Sequence, residues 1–520
     1  MRVIPMWDTT LRDGAQANGI TFSVKDKVNI AKALDKFGIA YIEGGNPYSN
    51  PKDAEFFEYM KSNPLAHAEL VAFGSTRRKD SCVEDDSSVN ALINAGTQTV
   101  VIFGKSWDFH VSQILEVSPE ENLLMIKDTI LHLCKCGKKV YFDAEHFYDG
   151  YKANPEYAVK TLLTAQDAGA QGVILCDTNG GTFPDEIYNI TKAVKDIVSI
   201  HVGIHTHNDA GMAVANSISA VDAGADMVQG TINGFGERCG NANLSTVIAN
   251  LQLKKGMLCV PDENLKSLYS VCRFVAETAN MSVSDRMPYV GRNAFAHKGG
   301  MHIDGVCKNS KSFEHVDPTK VGNRRRLLMS EMAGKSSVTQ KLKSLCYDIT
   351  KNSPETEEIM NIVKNMENEG YHFESADGTF RLIAARRLKG YKRPFSIDDI
   401  KIIEENRSER FSASAFIRVS VGEKCEYAAA EGDGPVNAMD KAIRKALELF
   451  YPALSEVTLT DYKVRVIDSN TSTAAKVRVL IESTDGVETW STMGVSTDIV
   501  EASCIALVDS LEYKLITDIK

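Results

Sequence analysis

A helical pattern, a glycine and a short apolar run recur through the first half of this 520-residue chain. The apolar runs are Val3–Thr9, Ala40–Gly44, Glu69–Gly74, Thr99–Gly104, Lys139–Glu145, Gly172–Asp177, His201–His207 and Asp226–Thr231. Amphipathic helical patterns follow them, as in Lys25–Phe37, Glu120–Cys134, Pro155–Ala168 and Ala213–Ala223. Gly38, Gly96, Gly137, Gly169 and Gly224 stand where such helices want a left-handed cap. Strands alternating with helices imply a parallel sheet, and eight such units predict a closed (β/α)8 TIM barrel, an α/β fold. An open doubly wound sheet would need a glycine-rich dinucleotide loop after its first strand, and this chain has none there.

The repeat gathers the polar residues at one end of the predicted barrel. Arg12 and Asp13 follow strand 1, and Glu43 ends strand 2. Glu145 and His146 end strand 5, Asp177-Thr178-Asn179 end strand 6, and His205 and His207 end strand 7. Asn233, Glu237 and Asn241 follow strand 8. Barrel enzymes work at the carboxyl ends of their strands. Any one of these residues reads equally well as a polar cap on the next helix; their joint placement on one rim does not.

Two imidazoles two residues apart on a strand project to the same side, so His205 and His207 can offer two nitrogens to one metal ion. Asp13 would add a carboxylate. Such a mixed set suits a divalent ion, Mg2+, Mn2+ or Zn2+ among others. A metal with open positions can chelate a 2-oxo acid and polarise its ketone. Arg12 could stabilise the oxygen as it becomes an alkoxide, or pair with Glu43 or Asp8. Alternation along strand 5 turns Tyr141, Asp143 and Glu145 inward, which makes Glu145 a possible general base. Phe73, Phe103 and Tyr141 could narrow the pocket or merely fill the barrel.

Composition sets bounds. The net charge of −10 argues against nucleic acid as the partner, and 43% apolar with 25% charged residues is ordinary for a globular protein. No apolar run reaches the ~20 residues of a membrane span, so no membrane partner is expected. The N-terminus carries no signal or transit pattern, and the eleven cysteines are scattered. Together these predict a reducing, cytoplasmic location.

After residue 260 the pattern changes. Asn293–Gly305 reads as loop or short helix, and Val338–Ile349 and Glu355–Glu369 as helices. Then come strands Phe411–Val421 and Glu423–Ala430 with helix Val436–Phe450, and strands Thr458–Asp468, Ala474–Glu482 and Glu488–Gly494 with helix Thr497–Tyr513. This predicts two ββα-like halves related by a pseudo-repeat, an α+β domain suited to regulation. The domains expected are a catalytic barrel over 1–270, a lid and helical linker over 271–400, and a C-terminal domain over 401–520.

Three motifs carry a resemblance. They are Asp8-Thr9-Thr10-Leu11-Arg12-Asp13-Gly14-Ala15-Gln16, His205-Thr206-His207-Asn208-Asp209, and Asn233-Gly234-Phe235-Gly236-Glu237-Arg238-Cys239-Gly240-Asn241. With the segment His297–Gly305, they resemble the family of 2-isopropylmalate, homocitrate and citramalate synthases. Gly434-Pro435-Val436-Asn437-Ala438 and Gly494–Ala502 are similar to its regulatory domain. Glu43–Pro47, Ser49–Asp53 and Phe313–Pro318 look most like the citramalate synthase branch.

The resemblance implies condensation of acetyl-CoA with pyruvate, a swapped homodimer, and inhibition by isoleucine at the C-terminal domain. It also implies roles for single residues. Asp13, His205 and His207 would hold the metal, with Asn241 as a further ligand or neighbour. Arg12 would polarise the ketone, and Thr178 would bind the oxo-acid carboxylate. Gln16 and Asp304 would line the substrate. Glu145 with His302 would deprotonate the acetyl methyl. Phe313 departs from the family, which usually has tyrosine there. Sister acceptors such as 2-oxoisovalerate or 2-oxoglutarate, a related hydroxyacyl-CoA lyase, and a non-catalytic amino-acid sensor are the rival readings.

Overall fold

Strand and helix signals in the first 250 residues resolve into a closed barrel. The computed structural model describes residues 1–328, 335–344, 353–387, 390–407, 410–467, 475–486 and 488–518. They fall into two compact units, one of residues 1–295 with 316–325, the other of 296–315 with 326–520.

The first unit contains the strands β1 (Met6–Asp8), β2 (Tyr41–Gly45), β3 (Glu69–Ser75), β4 (Thr99–Lys105), β5 (Lys139–Glu145), β6 (Gly172–Asp177), β7 (His201–Thr206) and β8 (Met227–Gly230). Each pairs in parallel with its neighbour in sequence, and β1 closes on β8 through Met6–Val228, Trp7–Gln229 and Asp8–Gly230. The predicted TIM barrel is therefore present, with all eight strands where the apolar runs placed them.

Helix ends follow from side-chain chemistry. Ser23 caps the helix Val24–Phe37 in a reciprocal pair with Asp26, worth about 1 kcal/mol. Asn50, Ser118 and Asn154 cap helices that open on Pro51, Pro119 and Pro155, whose missing N–H costs nothing at that position. Gly38 ends the first helix at φ 100°, and a Cβ there would lie 2.4 Å from Pro261 Cδ. The other four predicted capping glycines also have positive φ.

Two apolar layers hold the barrel. Outside the strands, residues such as Ile42, Val100, Phe142 and Val228 meet the helices. Inside, Trp7, Val71, Val101, Tyr141, Ile174, Cys176 and Met227 fill the lumen. Trp7 stacks on Tyr41 at 4.7 Å and meets Tyr141 edge-on. This plug makes the lumen a packed core, and a cavity opens above it at the carboxyl rim.

In the second unit, β9 (Ala296–His297) pairs with β10 (Arg326–Leu327), and the helix Gly300–Lys308 follows β9. Helices Lys335–Ser344, Pro354–Glu369 and Asp377–Arg387 come next. Of the helix predicted over Val338–Ile349, residues 345–349 lie outside the described residues, as do Asp468 and Ala474 at predicted strand ends.

Two antiparallel three-stranded sheets follow. One is β11 (Ser396–Arg407), β12 (Arg410–Val421) and β13 (Lys424–Gly432), covered by the helix Pro435–Leu447. The other is β14 (Thr458–Val466), β15 (Val477–Thr484) and β16 (Thr489–Ser496), covered by the helix Ile499–Asp518. The first half thus has three strands, not the two predicted. Strand β11 was missed because Asp398-Asp399 and Glu404-Glu405 interrupt its apolar alternation at a sheet edge.

Candidate active site

The loop after β1 is built by Asp8. Its carboxylate accepts from the Thr10 backbone N–H at 3.0 Å and from the Thr10 hydroxyl at 2.7 Å. Thr10 Oγ1 also accepts from the Ile232 N–H beyond β8 at 2.9 Å. Burial pushes the Asp8 carboxyl up to about 7. The tight turn leaves Arg12 and Asp13 at the barrel mouth.

Arg12 is clamped on three sides. Its Nε donates to Glu43, whose other oxygen accepts from Trp7 Nε1 at 3.0 Å. Its guanidinium carbon lies 3.9 Å from the centre of the Phe73 ring, and Nη1 is 3.3 Å from Asp13 Oδ2. Arg12 thus forms the ion pair with Glu43 that one reading expected, and it also lines the cavity.

Asp13, His205 and His207 present ligand atoms within 4.8 Å of one another. His205 Nε2 is 3.4 Å from Asp13 Oδ2 and 3.3 Å from His207 Nε2. Burial, reinforced by His207, pushes His205 down to about 3, and burial also lowers His207. Burial would raise Asp13, but Arg12 and then the two histidines outweigh it and hold the carboxyl low. The result is an ionised carboxylate among neutral imidazoles.

Three electron-pair donors thus converge in a buried space. Beside them His207 Nδ1 and both polar atoms of the Asn241 amide, Oδ1 and Nδ2, are buried with no hydrogen-bond partner among the described residues. Unanswered buried acceptors are costly. A divalent cation would satisfy this O/N set, so the residues present fit a metal.

A cavity of about 250 Å3 opens over the cluster. Arg12, Asp13, Gln16, Glu145, Thr178, His205 and His207 line it, joined by Phe73, Phe103, Asp143, Cys176, Glu237 and Arg238. Phe73 and Phe103 stack at 5.4 Å to form an apolar wall. Thr178 Oγ1 accepts from the His146 N–H at 2.9 Å, which leaves its own proton for the cavity. Arg238 donates to the Thr178 carbonyl at 2.7 Å and grips Asp209 through two nitrogens, which braces that loop.

Several rim residues serve structure. Asp177 accepts from the Thr182 N–H and hydroxyl, and Asn233 donates to the Cys272 carbonyl at 2.8 Å. Tyr141 belongs to the plug below the cavity. His302 and Asp304 belong to the second unit. There His302 stacks on Phe313 at 4.2 Å, and Asp304 pairs with Lys308 at 2.6 Å.

The sequence reading missed three groups. Lys105, opposite Glu145 in the β4–β5 register, forms an ion pair with it. Asp143 was placed inward but given no partner; its Oδ1 accepts from Gln229 Nε2 at 3.3 Å, and burial beside Glu43 raises it well above the usual range. Gln229 on β8 sets its Oε1 3.0 Å from His205 Nδ1. A lone polar residue in an apolar strand carries no sequence signal of its partner.

Comparison with known proteins places this geometry. The family description HMGL-like matches residues 3–275, homocitrate synthase post-HMGL domain-like matches 289–371, and LeuA allosteric (dimerisation) domain matches 374–515. A protein of Aquifex aeolicus named (R)-citramalate synthase is 52% identical over 99% of this chain and 98% of its own. One of the same name from Geobacter sulfurreducens is 50% identical over 99% and 98%. A probable 2-isopropylmalate synthase of Methanopyrus kandleri is 34% identical over 97% of each chain. With its barrel, its Asp-His-His cluster and matches along nearly its whole length, the chain belongs to the HMGL-like family, among the 2-isopropylmalate and homocitrate synthases.

Proposed function

We propose that this chain is an acyltransferase that condenses acetyl-CoA with pyruvate, giving (R)-citramalate and free CoA. The observation that carries the reading is the small cavity that places Arg12 and Thr178 beside the Asp13–His205–His207 cluster under an aromatic wall. Relatives matched end to end bear the name (R)-citramalate synthase.

A divalent ion held by Asp13, His205 and His207, with Asn241 beside it, would supply Lewis-acid polarisation of the ketone. The residues do the rest. The Thr178 hydroxyl takes the pyruvate carboxylate, and Gln16 lines the same cavity. Arg12, its Nε fixed by Glu43, offers its remaining N–H groups to the ketone oxygen as that oxygen gains charge. Glu145, positioned by Lys105, takes a proton from the acetyl methyl. The methyl carbon then bonds to the ketone carbon, and the oxygen formed there takes up a proton. Water cleaves the thioester, releasing CoA as the thiol and making the sequence effectively irreversible. His302 and Asp304 are assigned by the lid motif to proton transfer and substrate binding.

The same reading gives the chain a catalytic part over 1–270, a lid and linker over 271–400 and a regulatory part over 401–520. It gives isoleucine as effector at the last of these, a homodimer, a cytoplasmic setting and a place in branched-chain amino-acid biosynthesis. Among the described residues no helix is long and apolar enough to cross a membrane. The deciding experiment is thiol release from acetyl-CoA with a panel of 2-oxo acids and Mn2+, Mg2+ or Zn2+. Pyruvate should be the preferred acceptor. Release with 2-oxoisovalerate and not with pyruvate would give the 2-isopropylmalate activity instead. Addition of single amino acids to the same assay tests the effector.

A further inference from the structure

Gln229 is a buried glutamine beside the apolar plug that fills the barrel lumen. It lies on β8 with a relative exposure of 0%, in register with His205 on β7 and Trp7 on β1. Leucine or methionine would fill this volume without the cost of burying an amide. Both polar ends of the amide are used. Oε1 is 3.0 Å from His205 Nδ1, and Nε2 donates to Asp143 Oδ1 at 3.3 Å.

We infer that Gln229, oriented by Asp143, is a positioning residue that fixes the tautomer of His205 so that Nε2 faces the Asp13–His207 cluster with a free electron pair. This rests on the metal reading above. A carbonyl oxygen has no proton to give, so the proton between Gln229 and His205 sits on Nδ1. Neutral imidazole carries one N–H, so Nε2 is left bare. That nitrogen lies 3.4 Å from Asp13 Oδ2 and 3.3 Å from His207 Nε2. The two ends of a glutamine amide are alike in shape, and the partner at the far end chooses between them. Here Nε2 faces Asp143 Oδ1 and the carbonyl faces His205; the carbonyl oxygen of Asp143 can accept from the NH2 group whether or not the acid holds a proton. A reversed amide would set N–H against Nδ1, move the imidazole proton to Nε2 and aim it at the ligand position. The chain Asp143–Gln229–His205 thus runs across β5, β8 and β7 and ends at the metal cradle.

The test uses the whole chain, stripped of metal and titrated with Mn2+ alone, free Mn2+ being read by electron paramagnetic resonance. Gln229→Leu and Gln229→Met should weaken Mn2+ binding about 10–100-fold, the range for losing the hydrogen-bond partner of a ligating histidine. Gln229→Glu accepts the same Nδ1 proton and should restore binding to within about threefold of the parent, whereas a packing role predicts rescue by Met and not by Glu. Unchanged Mn2+ affinity in Gln229→Leu overturns the positioning role and leaves the metal reading standing. Failure of the parent chain to bind Mn2+, or parental affinity in His205→Ala, overturns the metal reading itself. A readout taken on the parent chain itself is 15N NMR of the histidine-labelled protein. His205, assigned by its loss in His205→Ala, should show a protonated Nδ1 and a bare Nε2. The opposite pattern would refute the inference.

Discussion

In the second unit a buried acid is answered on every side; in the barrel mouth, buried donors of electron pairs face one another. Glu512, with an exposure of 0%, accepts from Arg386 Nε at 2.9 Å and Nη2 at 2.7 Å, and from the Tyr391 hydroxyl. Arg386 also reaches Asp509 at 2.6 Å. Asp485 pairs with Lys514, and Asp377 with both Arg326 and Lys341. By contrast Asp13, His205 and His207 converge, and Asn241 Oδ1 beside them finds no partner among the described residues. Burying polar groups costs free energy in both places. Where partners are present the cluster can hold a fold together, and where they are missing a ligand is expected to supply them. Single unanswered atoms also occur away from the mouth, as at Asn122 Oδ1 and Asn216 Oδ1, so it is the convergence of three ligand atoms that sets the barrel mouth apart.

The strongest way to break that contrast is at the cradle. His207→Ala should abolish Mn2+ binding and lower kcat about a thousandfold or more, since a bound cation supplies several kcal/mol of charge stabilisation, while urea unfolding barely shifts. Full metal occupancy in that variant would mean other ligands. Next comes Arg386→Ala, which leaves Glu512 and Asp509 buried with only the more distant Arg393, 3.7 Å from Glu512, as their cation. A loss of about 3–5 kcal/mol in urea unfolding is expected, with Mn2+ affinity unchanged. A variant as stable as the parent would show that the cluster contributes nothing.

A pH series sharpens the same cluster. Burial, partly offset by Arg386, pushes Asp509 up to about 6. Its unfolded value is near 3.9, so the folded state holds the extra proton between those limits. Stability from this group is therefore complete below about pH 4 and is lost as pH rises through 6, about 3 kcal/mol in all. Asp509→Asn should flatten the difference between unfolding measured at pH 4 and at pH 7; an unchanged slope would assign it to other groups. The smallest effect lies in the aromatic wall. Phe73→Ala should shift the ratio of kcat/KM for 2-oxoisovalerate over pyruvate upward by about 10–100-fold, the worth of about 1–3 kcal/mol of pocket volume. No shift would place the acceptor's side chain elsewhere.

The barrel was legible because its signals are local. β5 and β6 run from Lys139 to Glu145 and from Gly172 to Asp177, as their apolar runs predicted, and the capping glycines mark where helices stop. Asp13, His205 and His207 were legible because strand ends place residues on a known rim. Lys105 and Gln229 were not, since each matters only through a residue 40 or 24 positions away that strand register brings opposite. β11 and the helix Asp377–Arg387 escaped for a related reason. β11 carries acidic doublets on a sheet edge, and the helix is buried on most sides against β16 and the helix Ile499–Asp518, which erases an amphipathic stripe.

The sequence by itself determined a chain of eight βα units, the rim on which its polar residues gather, and the placement of His205 and His207 together on that rim. Periodicity and strand-end position are properties of neighbouring residues, so they survive without coordinates. Only the tertiary structure decided that Arg12 is held by Glu43, that Glu145 pairs with Lys105 and that His205 meets Gln229. Closure of the barrel sets which strands lie side by side and in what register, and hydrogen bonds a few ångströms long depend on that register alone.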